Sequence, residues 1–169
     1  QHYDRVMTAL AQRGMQAHMF IKVYNKQVNW PARGSDEEKL FFRWLVARHA
    51  AYPNVIWDFS KEAHNEKDVS YKQGWLKWLR ENDPYHHLTT VHDDDKANDS
   101  GAYDDPTDFR ADQHHGNDDE VKNDQVRANS NRTGSNRDTI AAQRARRTWP
   151  VANVESDYEH GPGGLDDKT

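Results

Sequence analysis

The chain has 169 residues, of which 34% are hydrophobic and 30% charged, with a formal net charge of −5, no cysteine, six tryptophans and seven tyrosines. That length suits one domain whose core leans on aromatic rings, each burying a large area. The acidic balance argues against a basic nucleic-acid face, the missing cysteines remove disulfides and thiolate chemistry, and no apolar run reaches the roughly 18–20 residues of a membrane span.

Tyr3, Val6, Met7 and Leu10 recur at helical spacing, and Gly14 follows as a C-terminal cap. Met15 to Tyr24 reads as a buried strand, and Asn25 to Gly34 as a loop carrying Trp30 and Pro31. Ser35 with Glu38 has the pattern of a capping box, opening a helix with Leu40, Phe41, Trp44 and Leu45 on its inner face. Tyr52 and Pro53 stop it, and the run NVIWDFS is the next strand. A further helix runs from about Asp68 to Arg80, burying Trp75, Leu76, Trp78 and Leu79. Asn82, Asp83 and Pro84 break it, and His87 to His92 forms a short strand.

From Asp93 to Asp124 the chain turns acidic, which reads as solvated loop around one strand, TDFRADQ. Arginines dominate from Arg127 to Arg147, where Ile140, Ala141 and Ala145 suggest a helix. WPVANVE is the last strand, and Gly161 to Gly164 a loop. Strands alternating with helices imply a parallel sheet covered by helices, in which buried strands read as nearly continuous apolar runs.

Two of these strands end in a glutamate: NVIWDFSKE in Glu62 and WPVANVE in Glu155. Either one alone fits a salt-bridged strand end. Two carboxylates delivered to one rim of a parallel barrel fit the cleavage of a glycosidic bond, one protonating the departing oxygen and the other attacking the anomeric carbon. Glu66 is a rival for the acid, but Glu62 stands nearer the strand end.

These residues resemble the apiosidase-like glycosidases within clan A of the glycoside hydrolases. Pro53-Asn54-Val55-Ile56-Trp57 leading to Glu62 is similar to the acid/base strand of that family, and Pro150-Val151-Ala152-Asn153-Val154-Glu155, with Tyr158 and Glu159 beyond, to its nucleophile strand. His92 matches the end of its fifth strand, and Asp108-Phe109 with Gln113 its sixth. Two positions depart from the pattern: Lys61 stands where asparagine or glycine is common, and Glu62 where the closer family often has aspartate. The resemblance implies an α/β fold, a partial (β/α)8 TIM barrel of about five parallel strands. Residues 1–169 would then be an incomplete catalytic barrel domain holding strands three to seven, with strands one, two and eight absent. It also implies a retaining hydrolase of plant or algal polysaccharides or derived oligosaccharides, working outside the cytoplasm, extracellular or periplasmic. The chain begins with Gln1, so the natural start is expected to be missing.

Substrate contacts are expected from Lys61, Trp30, His92, Gln113, His114 and Tyr158. Trp30 follows a strand in a loop and suits sugar stacking or plugging of the barrel rim. Lys61 suits an anionic sugar or a local salt bridge. Trp44, Trp57, Trp75 and Trp78 follow the periodicity of core residues. Ten histidines raise a metal hypothesis, but HExxH, paired HxH and EF-hand spacings do not occur, and no metal or cofactor is expected. A non-catalytic carbohydrate-binding barrel and a metal-dependent hydrolase are the alternatives.

Overall fold

A computed structural model of the chain describes residues 2–93, 101–113, 141, 144–145 and 150–155, with backbone alone at 112, 113, 153 and 155. The regular elements are α1 (His2–Gln12), β1 (Ala17–Val23), α2 (Asp36–His49), β2 (Val55–Lys61), a 3-10 turn (Ala63–Asn65), α3 (Val69–Asn82), β3 (Thr89–Thr90), β4 (His92–Asp93), β5 (Arg110–Gln113) and β6 (Val151–Glu155). Of the arginine-rich segment, Ala141, Arg144 and Ala145 are helical. None of the described helices is long and apolar enough to cross a membrane.

Every strand pair among the described residues is parallel. β1 pairs with β2 and β2 with β3, while β4 pairs with β5 and β5 with β6. Val91 alone separates β3 from β4, so Thr89–Asp93 acts as one strand with β2 on one side and β5 on the other. The interruption has a cause: Oδ1 of Asp58 on β2 accepts the backbone N–H of His92 at 3.0 Å, replacing a ladder bond. Five consecutive parallel segments result, as in a partial (β/α)8 barrel.

Helix ends follow their local chemistry. Gly14 caps α1 with φ of +68°, a conformation glycine adopts without steric cost. Ser35 accepts the N–H of Glu38 at 3.1 Å at the start of α2, and Asp68 accepts that of Tyr71 at 3.0 Å at the start of α3. The capping box is only half made, because Glu38 turns to the N–H of Gly34, to Lys22 and to Tyr71.

That buried glutamate also sets the rotation of α2. Its inner face is Glu38, Phe42, Leu45, Val46 and His49, with Phe41 partly buried. The expected inner residues Leu40 and Trp44 are 62% and 55% exposed, which corrects both assignments. Phe42 takes their place because its ring stacks on Trp75 of α3 at 3.7 Å and 8° and packs near Phe59 of β2. On α1 only Met7 is buried, with Tyr3 and Val6 exposed. On α3 Leu76 and Leu79 are buried as expected, while Trp75 and Trp78 are partly covered and Lys72 is buried. The acidic run is not wholly solvated either: Asp93 is buried and takes bonds from Lys72 at 2.7 Å and Tyr103 at 2.5 Å.

Candidate active site

In a parallel sheet all strand C-termini reach one rim, the usual place for chemistry in barrels of this kind. β1 delivers Tyr24 and Asn25 there, β2 Glu62, β5 Gln113 and β6 Glu155. β2 and β6 lie three strand positions apart, with Thr89–Asp93 and β5 between them. The register of β5 with β6 shifts at its end: Asp112 pairs with Asn153, but Gln113 pairs with Glu155, leaving Val154 as the extra residue. Bulges of this kind gather beside active sites and at barrel rims.

Glu62 stands in a left-handed conformation, φ 57° and ψ 42°, at the start of the 3-10 turn. For a residue with a Cβ this costs about 1 to 2 kcal/mol, and strain of this sort collects at functional sites. Its carboxylate is largely covered. Oε2 lies 3.1 Å from Nε2 of His64, Oε1 takes a long bond of 3.4 Å from Nδ2 of Asn25, and Nζ of Lys61 stands 3.9 Å away. Glu66, the rival acid, is committed elsewhere: it accepts the N–H of Asp68 at 2.9 Å and faces Arg33 at 3.7 Å, fastening the start of α3.

The remaining sequence candidates divide. Trp30 packs against Phe41 of α2, its ring centre 6.1 Å away, and so joins the helix layer. His92 is 1% exposed, tilted against Phe20 at 5.6 Å inside the sheet. Gln113 is the register partner of Glu155. His114 and Tyr158 lie outside the described residues. Among the described residues no group of three or more histidine or carboxylate side chains is arranged to hold a metal ion.

Three residues beside the site were not singled out in the sequence. Asn25 could have been, because it follows the end of a parallel strand and so shares the rim of Glu62. His64 carries no signal beyond its closeness to Glu62 in the chain. Asp58 looks like one charge in an apolar run, yet it is fully buried: Oδ1 accepts the N–H groups of Ser60 and His92, and Oδ2 lies 2.7 Å from Nε2 of His18. It is a hub under the rim. A second buried network joins Lys22, Glu38 and Tyr71. Burial pushes the Tyr71 hydroxyl well above its usual range, reinforced by its bond to Glu38, and burial pushes Tyr24 up to about 12.

The model of the apiosidase-like catalytic domain matches residues 1–169. The chain belongs to the apiosidase-like catalytic-domain family. It is similar in fold to a glycoside hydrolase family 5 protein from Bacteroides vulgatus, with 21% identity and a TM-score of 0.69, over 98% of this chain and 36% of that one. A solved structure described as a glycoside hydrolase is similar at 19% identity and a TM-score of 0.68, over 98% of this chain and 38% of that one. This member of the family thus spans less than two fifths of the length of either solved structure. No curated protein sequence matches it.

Proposed function

We propose that the chain forms the catalytic part of a retaining glycoside hydrolase acting on a plant or algal polysaccharide or an oligosaccharide derived from one. Its five segments would be the third to seventh strands of the barrel. The observation that carries the reading is the placement of Glu62 and Glu155 at the C-terminal ends of two parallel strands three positions apart.

In this reading Glu155 is the nucleophile. Its carboxylate attacks the anomeric carbon, and the glycosidic C–O bond breaks with its electron pair passing to the leaving oxygen, which takes the proton of Glu62. Glu62, now ionised, removes a proton from water. That water attacks the same carbon, and the ester bond breaks to restore the Glu155 carboxylate. Two inversions at one carbon give overall retention. Asn25 and His64 hold the Glu62 carboxyl at the rim, and the left-handed turn at Glu62 lifts it clear of the strand. Lys61 and Gln113, at the ends of β2 and β5, and Tyr158, which follows β6 in the sequence, would contact the sugar.

The test uses Glu62→Gln and Glu155→Gln variants of the protein carrying this chain, on a panel of aryl glycosides. Turnover should fall by several orders of magnitude for Glu155→Gln, with folding by circular dichroism retained. Turnover within about tenfold of the parent would remove Glu155 from the mechanism. Sugar binding with no hydrolysis in the parent protein would favour a binding barrel.

A further inference from the structure

Lys72, Leu76 and Leu79 form the buried face of α3 at helical spacing. A lysine is out of keeping with the other two. Leucine would complete that face without taking an ammonium out of water, which is costly unless the charge is paired and hydrogen-bonded. Lys72 is 2% exposed, so its partners inside the protein must serve in place of water.

Two partners do so. Nζ lies 2.7 Å from Oδ2 of Asp93, fully buried at the end of β4, and 2.9 Å from the carbonyl oxygen of Ala63. The Tyr103 hydroxyl donates to the same Asp93 oxygen at 2.5 Å, and its ring centre stands 5.6 Å from the ammonium. An ion pair that merely ties α3 to β4 accounts for Asp93 but not for the carbonyl. Ala63 is the residue directly after Glu62, and it too is fully buried.

Two backbone bonds close the turn at this place. The Asn65 N–H donates to the Glu62 carbonyl and the Glu66 N–H to the Ala63 carbonyl, each at 3.0 Å. The Ala63 carbonyl thus takes one bond from within the turn and one from Lys72. A left-handed residue that carries a Cβ, as Glu62 does, persists only where its surroundings over-determine it. Lys72 supplies such a restraint from outside the turn, and Asp93 anchors it to the strand beside β2.

We infer that Lys72 is a positioning residue for Glu62: paired with Asp93, it grips the Ala63 carbonyl and so holds the left-handed turn that aims the Glu62 carboxyl at the leaving oxygen. The aim rests on the acid role given to Glu62 under the proposed function. The grip on the turn does not depend on it.

The test compares Lys72→Met with the double variant Lys72→Met/Asp93→Asn, each in the protein carrying this chain. Lys72→Met leaves the Asp93 carboxylate buried without its cation and should lower the melting temperature sharply. The double variant removes both charges, keeps an oxygen for the Tyr103 hydroxyl, and should melt close to the parent. It still lacks the bond to Ala63. Amide exchange at Asn65 and Glu66 should therefore quicken in the double variant, while exchange at Trp57 in the middle of β2 stays as in the parent. Its kcat/KM, which reports the step in which Glu62 gives up its proton, should fall about 100-fold on a phenyl glycoside. On a dinitrophenyl glycoside, whose leaving group departs without a proton, it should stay within about threefold of the parent. Parent-like exchange at Asn65 and Glu66, or an equal loss on the two glycosides, would overturn the inference. A parent protein that cleaves neither glycoside would fail the catalytic reading by itself, and the exchange rates would still decide whether Lys72 holds the turn.

Discussion

Glu62 and His64 face each other across the left-handed turn that follows β2, with Nε2 of His64 3.1 Å from Oε2 of Glu62. A glutamate in this conformation carries a backbone cost that glycine would not. The chain keeps it where a carboxylate reaches the rim.

The strain makes a separable prediction. Glu62→Gly should raise stability by about 1 kcal/mol in urea unfolding, since glycine adopts the left-handed region freely, and should abolish hydrolysis. Destabilisation instead would mean that the carboxylate holds the fold, and that its contacts with His64 and Asn25 are structural.

Asp58 should behave in the opposite way. Its carboxylate serves two buried N–H groups and faces His18, joining β2 to Thr89–Asp93 where the ladder is interrupted. Asp58→Ala strands both donors and should cost about 3 to 5 kcal/mol, with Asp58→Asn costing less because its amide oxygen still accepts. Hydrogen exchange at the Ser60 and His92 amides should quicken in the alanine variant. A loss under about 1 kcal/mol would show that water or backbone shifts replace the hub.

Stability should fall on both sides of neutrality. Burial pushes the Glu38 carboxyl up, but bonds from Lys22, Tyr71 and the Gly34 N–H outweigh it and hold it below its ordinary 4.5. A depressed carboxyl contributes stability that is complete above 4.5 and is lost as pH falls through the folded value. His49 is lowered by burial, so the unfolded chain takes up its proton first and stability begins to fall below 6.5. On the alkaline side Tyr24 is raised from 10.0 to about 12, so the unfolded chain loses that proton first and stability declines above 10.0. Urea midpoints across this range should trace a dome. Glu38→Gln should flatten its acid limb and Tyr24→Phe its alkaline limb, and a flat profile in the parent would contradict the assignment.

The strands were legible because parallel strands buried on both faces read as apolar runs, as in VIWDF and PVANV, and the helix starts because Ser35 and Asp68 cap in the ordinary way. The rotation of α2 was not. Leu40 and Trp44 form as good an apolar stripe as Phe42 and Val46, and the choice falls to Glu38, which turns inward to reach Lys22 and Tyr71. The interruption at Val91 depends on an aspartate far away in the chain. At the site, the position of Glu62 and Glu155 at strand ends could be read directly. The left-handed turn at Glu62 and the bulge at Val154 could not, since neither carries a glycine to mark it.

The most direct test of the central claim is proton NMR of the first sugar released by the protein carrying this chain. If Glu155 attacks and Glu62 serves as acid and then base, the two carboxyl groups stand about 5 to 5.5 Å apart in the closed barrel, too close for an intervening water. The account predicts that the first-formed product keeps the anomeric configuration of the substrate, before mutarotation blurs it. Initial release of the opposite anomer would contradict it.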